Sequence, residues 1–445
     1  VDDLLVISKG PAAWLKKTVT RRKEGGRKMT EQLARSQRFL LSSNSADAAG
    51  RAAADFIIDL VLVTTLGASA FQIGVLNALG SVAFVVAAIP VGHLVDRHGA
   101  LRWLRVGLAG KLALLLVLTL LLATNQLTVP AVLLLVTVMG LGTLVVETAQ
   151  ISAVPGLNDP TKSTSGITRL VARLTAADQA LSIIIPAFFG LLISQLGSST
   201  LMALAAGLGS AALLLAQPIR NHSSASGASI KSPRPQPQGN WRSGLTLLFA
   251  DRRLLAVTAL VTLCNAGLAV GAAVESILIL RHLRLGPQWF GVITAFGAVG
   301  GLLGAAFSER IVQRVALPRL TVLTGFFQLL LAGLVFTSYF TVPYVSLALL
   351  LTQSLLWGVV LVIFNIASMS WVTTIVDPAF VGRVSSARRL FTFGAVPVGS
   401  LAGGAIGSTV GIWASLLSWC LLCAVGTLSF LLLRRGSLRT PPAEL

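Results

Sequence analysis

The sequence predicts an all-α membrane protein, with twelve transmembrane helices set out as two pseudo-symmetric six-helix bundles. Three observations predict it: the composition, the number of long apolar runs, and the placement of the basic residues. Only 11% of the 445 residues are charged and 54% are hydrophobic, and the mean hydropathy is +0.82. A soluble domain carries about 25% charged residues, so this chain cannot solvate a globular surface of its length. The same numbers exclude disorder and a soluble, basic nucleic-acid binder.

A span needs about 20 mostly apolar residues. Twelve runs meet that need, at 40–66, 71–95, 103–123, 128–153, 174–195 and 198–217, then 254–280, 288–308, 319–339, 343–370, 386–408 and 411–433. Between the sixth and seventh the composition changes to Ser, Pro, Gly and base, which reads as a flexible linker. The expected organisation is a basic cytoplasmic tail (1–38), a six-helix bundle (39–217), a cytoplasmic linker (218–252), a second bundle (253–434) and a short cytoplasmic tail (435–445).

Charge orients the spans. The chain has 35 Lys and Arg against 16 Asp and Glu, a net charge of +19. With both termini inside, 31 bases fall on the inner side and two, Arg281 and Arg284, on the outer; Arg51 and Lys111 lie within spans. That asymmetry follows the positive-inside rule, and an odd number of spans would break it. The expected location is the inner (plasma) membrane of a prokaryote. No signal-peptide pattern is expected at the start, and Met29 is an alternative start to Val1.

The two halves repeat. Leu66-Gly67-x-x-x-Phe71 is matched by Leu285-Gly286-x-x-x-Phe290, and Asp96-Arg97 by Glu309-Arg310. Asp159-Pro160 is matched by Asp377-Pro378, Pro186 by Pro397, and Asn44 with Gly50 by Asn265 with Gly271. Duplicated halves are typical of secondary transporters, which bind substrate near the midplane between them.

Gly92-His-Leu-Val-Asp96-Arg97-His-Gly99-Ala-Leu-Arg102 resembles the loop signature of the major facilitator superfamily, at the place where that family carries it. Two more stretches resemble the branch containing macrolide-efflux proteins and enterobactin-type siderophore exporters. They are Asp377-Pro378-x-x-x-Gly382-Arg383-Val384 leading to Pro397-x-Gly399, and Glu147-x-x-Gln150 leading through Pro155 to Pro186-x-x-x-Gly190. The resemblance implies alternating access, with a cytoplasmic latch at Gly92, Asp96, Arg97, Gly99, Arg102, Arg383 and Arg388. The chain departs from the antiporters of that family in two places. Span four lacks their arginine, and Ile185-Pro186 stands where Gly-Pro is usual.

Charges inside spans are costly, at ~2.5–3.5 kcal/mol each on insertion scales. Asp47, Arg51, Asp55 and Asp59 recur every four residues in span one, covering about 120° of one face and rising about 18 Å. Arg51 stands one turn from Asp47 and Asp55, so Asp55–Arg51 is the expected fixed pair. Asp59 is two turns from Arg51 and one from Asp55, which makes it the candidate for reversible protonation. Glu147 and Glu275 have no base within a turn and complete the proton-coupling candidates. The other reading is a self-neutralised structural network. Asn44, Asp47, Gln150, Asp178, Asn265, Gln328, Gln353 and Asn365 are candidates for the substrate path, or for bonds across helices. Pro186, Gly190, Pro397 and Gly399 are the expected bending points. The series Gly399, Gly403, Gly407 and Gly411, with Gly297, Gly300, Gly301 and Gly304, predicts close helix packing. Arg388 and Arg389 are expected at the interface or as partners of Asp96.

Histidines are scattered, Cys264, Cys420 and Cys423 lie in apolar runs, and no metal or nucleophile–base constellation is present. The sequence therefore predicts no enzyme, no metal and no cofactor. It predicts a monomeric transporter whose partners are a small-molecule substrate, protons and the lipid bilayer, without nucleic acid. The favoured activity is proton-coupled efflux of a hydrophobic or amphiphilic compound, such as a drug or siderophore-like metabolite. The alternatives are an importer or lysolipid flippase of the same fold, and a non-transporting receptor or scaffold.

Overall fold

The computed structural model describes residues 11–157, 165–219, 241–376 and 380–437. Among the described residues there are helices and connecting turns and no strand. The first half holds α1 (Pro11–Thr64), α2 (Ala70–His98), α3 (Ala100–Ala123), α4 (Val129–Ala153) and α5 (Ser165–Ala216). A short α6 (Trp241–Ala250) follows. The second half holds α7 (Arg252–Ile277), α8 (Pro287–Arg314), α9 (Leu317–Ser338), α10 (Pro343–Ile375), α11 (Val381–Thr409) and α12 (Ile412–Ser437).

Among the described residues, ten helical segments are long and apolar enough to cross a membrane. Two crossings fall outside that number for physical reasons. The span in α1 carries Asp47, Arg51, Asp55 and Asp59, which lower its hydropathy. The segment Arg169–Ala216 is one continuous helical stretch, but Gly197 adopts φ 76 and ψ 162 and folds it into two limbs, 165–196 and 198–216. A side chain would be strained at that φ. The limbs are the fifth and sixth spans, and the total is twelve.

Two stretches are more ordered than composition suggests. Helix α1 begins at Pro11, so the segment assigned to a basic tail continues the first span as helix. Leu33, Ser36 and Leu40 are buried along it, and the Gln37 side-chain amide donates to the Leu157 carbonyl at 2.8 Å. The stretch assigned to a linker ends in α6, which packs on α11 and α7, with Phe249 edge-on to Phe391. Residues 220–240 lie outside the described residues.

The repeat is visible in the packing. Asn44 on α1 donates to the Leu174 carbonyl on α5 at 3.2 Å, and Asn265 on α7 donates to the Thr392 carbonyl on α11 at 3.0 Å. Gly50 lets the second limb of α5 approach α1 at Ala205, and Gly271 lets Trp419 of α12 lie flat against α7. The Asp-Pro pairs at 159–160 and 377–378 lie outside the described residues.

The halves meet along α2 with α11 and α5 with α8. A side-chain carbon built on Gly74 would stand 3.0 Å from the Gly404 Cα, and one on Gly190 would stand 2.8 Å from the Gly291 Cα. Phe56 stacks on Phe290 with ring centres 5.6 Å apart. All of these contacts lie at the end of the bundle away from the termini.

Candidate functional site: a charged cavity between the halves

Arg281 reinforces the closed end. It sits on a π-helical turn, Leu278–His282, that ends α7. Its Nε and Nη2 donate to the Val63 carbonyl at 2.9 and 2.6 Å, and its Nη1 donates to the Ala68 carbonyl at 2.8 Å. These are late carbonyls of α1 and of the turn to α2, which a cation complements. The contact ties the second half to the first.

Toward the other end the halves part around a cavity of about 1000 Å³. Asp55 and Asp59 line it from α1, Leu76, Asn77, Gly80, Ser81 and Ala88 from α2, and Val136 from α4. The second half contributes Arg389, Leu390, Phe393 and Val396 of α11. Asp55 and Arg389 are exposed to this space and Asp59 is half-buried. None of the three takes part in an ion pair among the described residues. Glu275 on α7 is half-buried and lies within electrostatic range of Asp59.

The rest of the stripe pairs differently from the expectation. Arg51 does not form a closed pair with Asp55. Its Nη1 donates to Glu147 at 3.3 Å and its Nη2 to Asp178 at 2.5 Å. Position along one helix ranks only neighbours within that helix, whereas α4 and α5 present carboxylates directly to Arg51. Asp47 accepts two bonds from the Lys111 ammonium, at 2.6 and 2.8 Å, and Lys111 is only 3% exposed. Asp47, Glu147 and Asp178 are thus ion-paired within the first half, the last two sharing one guanidinium, while Asp55 and Asp59 make no ion pair among the described residues.

Among the described residues the latch makes no ion pair in this conformation. Asp96, Arg97 and Arg102 are exposed. Gly92 has open space around it, and Gly99 takes φ 93 in the turn between α2 and α3. Arg388 makes no ion pair among the described residues. It is buried, and its Nε donates to the Thr258 hydroxyl at 3.1 Å, because α11 turns this side toward α7. The backbone of Arg383 lies in α11, but its side chain is outside the described residues. Arg105 does a different task, donating to the carbonyls of Ala216, Gln217 and Ile219 and closing the end of α5.

The remaining polar candidates separate into two groups. Asn44 and Asn265 bond across helices, as above. Gln150, Gln328 and Gln353 are buried within their halves, and Asn365 is exposed on α10. The side-chain nitrogens of Gln150 and Gln328 have no partner among the described residues. Pro186 and Pro397 lie inside α5 and α11. Gly190 meets Gly291 across the halves, and Gly399 packs on Ala266. Among the described residues, no group of three or more His, Cys, Asp or Glu is placed to hold a metal ion.

Sequence reasoning noted Lys111 and Arg281 without giving either a site role, and expected Arg389 at the interface or beside Asp96 rather than on the cavity wall. The base well inside span three and the base just past the outer end of span seven were the available signals. Phe393 and Val396 carried none, because an apolar residue in a span looks alike in a wall and in a core.

Comparison with known proteins agrees with this architecture. A bacterial homologue of the iron transporter ferroportin, solved in an inward-facing state, superposes with a TM-score of 0.70 at 17% identity, covering 90% of this chain and 98% of that one. The nucleoside transporter NupG gives 0.69 at 13% identity, covering 91% and 100%. A bacterial homologue of the human lysosomal transporter Spinster, inward-facing and unoccupied, gives 0.68 at 13%, covering 93% and 99%. These likenesses show the fold. No functionally curated protein matches by sequence. The family model described as Major Facilitator Superfamily matches residues 40–396, most of the chain. With twelve crossings, duplicated halves and a cavity between them, the chain belongs to the Major Facilitator Superfamily and is a multi-pass membrane transporter of a small molecule rather than an enzyme.

Proposed function

We propose that the protein is a secondary active exporter that moves a hydrophobic or amphiphilic small molecule out of the cell in exchange for protons. One observation carries the reading. Two carboxylates, Asp55 and Asp59, line the cavity and make no ion pair among the described residues; Asp55 stands within electrostatic range of Arg51 and Asp59 has no base acting on it, while Asp47, Glu147 and Asp178 are each ion-paired. An intramembrane acid lacking a counter-charge, as Asp59 does, is an expected proton site in a membrane transporter. The apolar walls at Leu76, Val136, Leu390, Phe393 and Val396 suit a hydrophobic body.

In this reading the protein is a monomer in the plasma membrane of a prokaryote. Its basic ends lie in the cytoplasm, so the cavity faces inward. The bundles 39–217 and 253–434 rock about it, joined by the linker 218–252. Asp59 takes a proton in the outward-facing state and releases it to the cytoplasm, and substrate enters as the proton leaves. Reclosing of the cytoplasmic side brings Asp96, Arg97 and Arg102 toward the start of α11, while Arg281 releases Val63 and Ala68. The resemblance to the macrolide-efflux and siderophore-exporter branch supports the outward direction.

The test uses inverted vesicles with an imposed pH gradient, and a compound chosen by ligand stabilisation of the purified protein across drugs and siderophores. Asp59→Asn should lower proton-driven transport at least about tenfold, the scale of one charged hydrogen bond, with normal insertion. Undiminished transport by Asp59→Asn removes it from the mechanism. Uptake into right-side-out cells would reverse the direction.

A further inference from the structure

The cavity holds charges of both signs on opposite halves, and they do not neutralise each other. On the first half Asp55 and Asp59 are surplus, because Glu147 and Asp178 occupy Arg51 and Asp47 occupies Lys111. On the second half Arg389 faces the cavity. Its neighbour Arg388 donates to a hydroxyl, so no carboxylate balances this pair of arginines among the described residues.

Helix geometry sets the spacing. Gly74 and Gly404 touch, which puts them at one height. Arg389 precedes Gly404 by fifteen residues on α11, a rise of roughly 22 Å. Asp59 lies five residues before the end of α1, and Gly74 four residues into α2, so Asp59 shares the height of Gly74 within about a turn. Asp55 lies about 6 Å nearer the mouth. The acids therefore stand at the blind end and the arginine toward the mouth, about 16 Å from Asp55 and about 22 Å from Asp59 along the axis. Phe393 and Val396, about one and two turns from Arg389 toward the acids, line the wall between them, and Val136 lines the same cavity.

We propose that the cavity selects an elongated zwitterion. Its cationic group sits at Asp55 and Asp59, its apolar middle lies along Val136, Phe393 and Val396, and its anionic group meets Arg389. The proposal rests on the reading of this cavity as the substrate site and names the class of substrate. A compact zwitterionic head, with both charges on neighbouring atoms, cannot reach both walls. A ligand of one sign leaves the other wall uncompensated in an apolar setting. The fork of Arg389 suits a carboxylate in two-point contact.

The experiment measures binding to the full-length protein in phosphatidylcholine nanodiscs at neutral pH, by equilibrium dialysis corrected for partition into empty discs. Three probes share one chain length: ω-aminododecanoate, dodecylamine and dodecanoate. The ω-amino acid should bind at least about tenfold more tightly than either single-ended probe, the effect of one added charged contact. Arg389→Gln should reduce its affinity to that of dodecylamine, and Arg389→Lys should keep most of the advantage. The Asp55→Asn, Asp59→Asn double variant should reduce it to that of dodecanoate. Equal affinity for ω-aminododecanoate and dodecylamine overturns the proposal and leaves the cavity reading standing. So does an Arg389→Gln variant that weakens all three probes alike. Failure of every probe to bind overturns both. The ranking on the unmodified protein and the Arg389→Lys variant decide the matter even where Arg389→Gln does not fold.

Discussion

In the first half, α1 is held to its neighbours by charge. Arg51 reaches α4 and α5 through Glu147 and Asp178, and Asp47 reaches α3 through Lys111. In the second half α7 takes the same place in the repeat and makes no such pair among the described residues. There the contacts are close backbone approaches. Gly399 and Gly403 pack on Ala266 and Val270 of α7, and Gly297, Gly300 and Gly304 let α8 and α10 touch. Ion pairs in an apolar setting tolerate little change of geometry, whereas small-residue seams allow helices to approach and shift. One duplicated fold has thus divided its labour. The first half fixes a charged scaffold that leaves two acids facing the cavity, and the second supplies a smooth wall with one cation.

Breaking the charged side should cost most. Lys111→Met leaves Asp47 buried and unpaired, and should destabilise the protein by about 3–5 kcal/mol. Adding Asp47→Leu should recover most of that loss, as read by thermal unfolding in detergent. If the double variant is no better than the single, the pair is not the reason for the loss. The corresponding injury to the second half is steric. Gly403→Val drives a branched side chain into the Val270 backbone and should cost about 1–3 kcal/mol, with no dependence on any charged partner.

A smaller effect tests the joint between the halves. Arg281→Gln removes the charge from the contacts to Val63 and Ala68, and should favour the opposite open state by about 1–2 kcal/mol. Thiol labelling of a cysteine placed at Ala70, which is buried where α2 meets α11, would rise several-fold in whole cells if the clasp holds that end shut. The smallest effect should be the most symmetric. Asn44→Ala and Asn265→Ala each remove one bond across helices and should each cost about 1 kcal/mol. A large difference between them would break the equivalence of the two positions.

Much of the fold was legible because the bilayer imposes a length on every crossing and a sign on every loop. The stripe of Asp47, Arg51, Asp55 and Asp59 was equally visible, since charge in an apolar run stands out. Its wiring was not. Spacing within α1 pointed Arg51 at Asp55, but the deciding carboxylates came from α4 and α5, and their facing is a property of packing. Arg388 shows the same limit. Its place at the start of a span suits an interfacial residue, yet rotation of α11 by one position separates it from Arg389, sending one side chain into the bundle and the other into the cavity. Helix α6 was hidden because a short amphipathic turn looks like the polar linker that leads into it.

The clasp at Arg281 has acceptors that no substitution of side chains can replace and no proton can silence, since Val63 and Ala68 offer only main-chain oxygen. Its strength then hardly varies with acidity, and opening that end is an exchange of carbonyl for water around one guanidinium. A protein built this way keeps its lock blind to the proton gradient. In the exchange proposed above, only the acids on the far side of the lock register that gradient, and through them the bound molecule and the proton compete for one space.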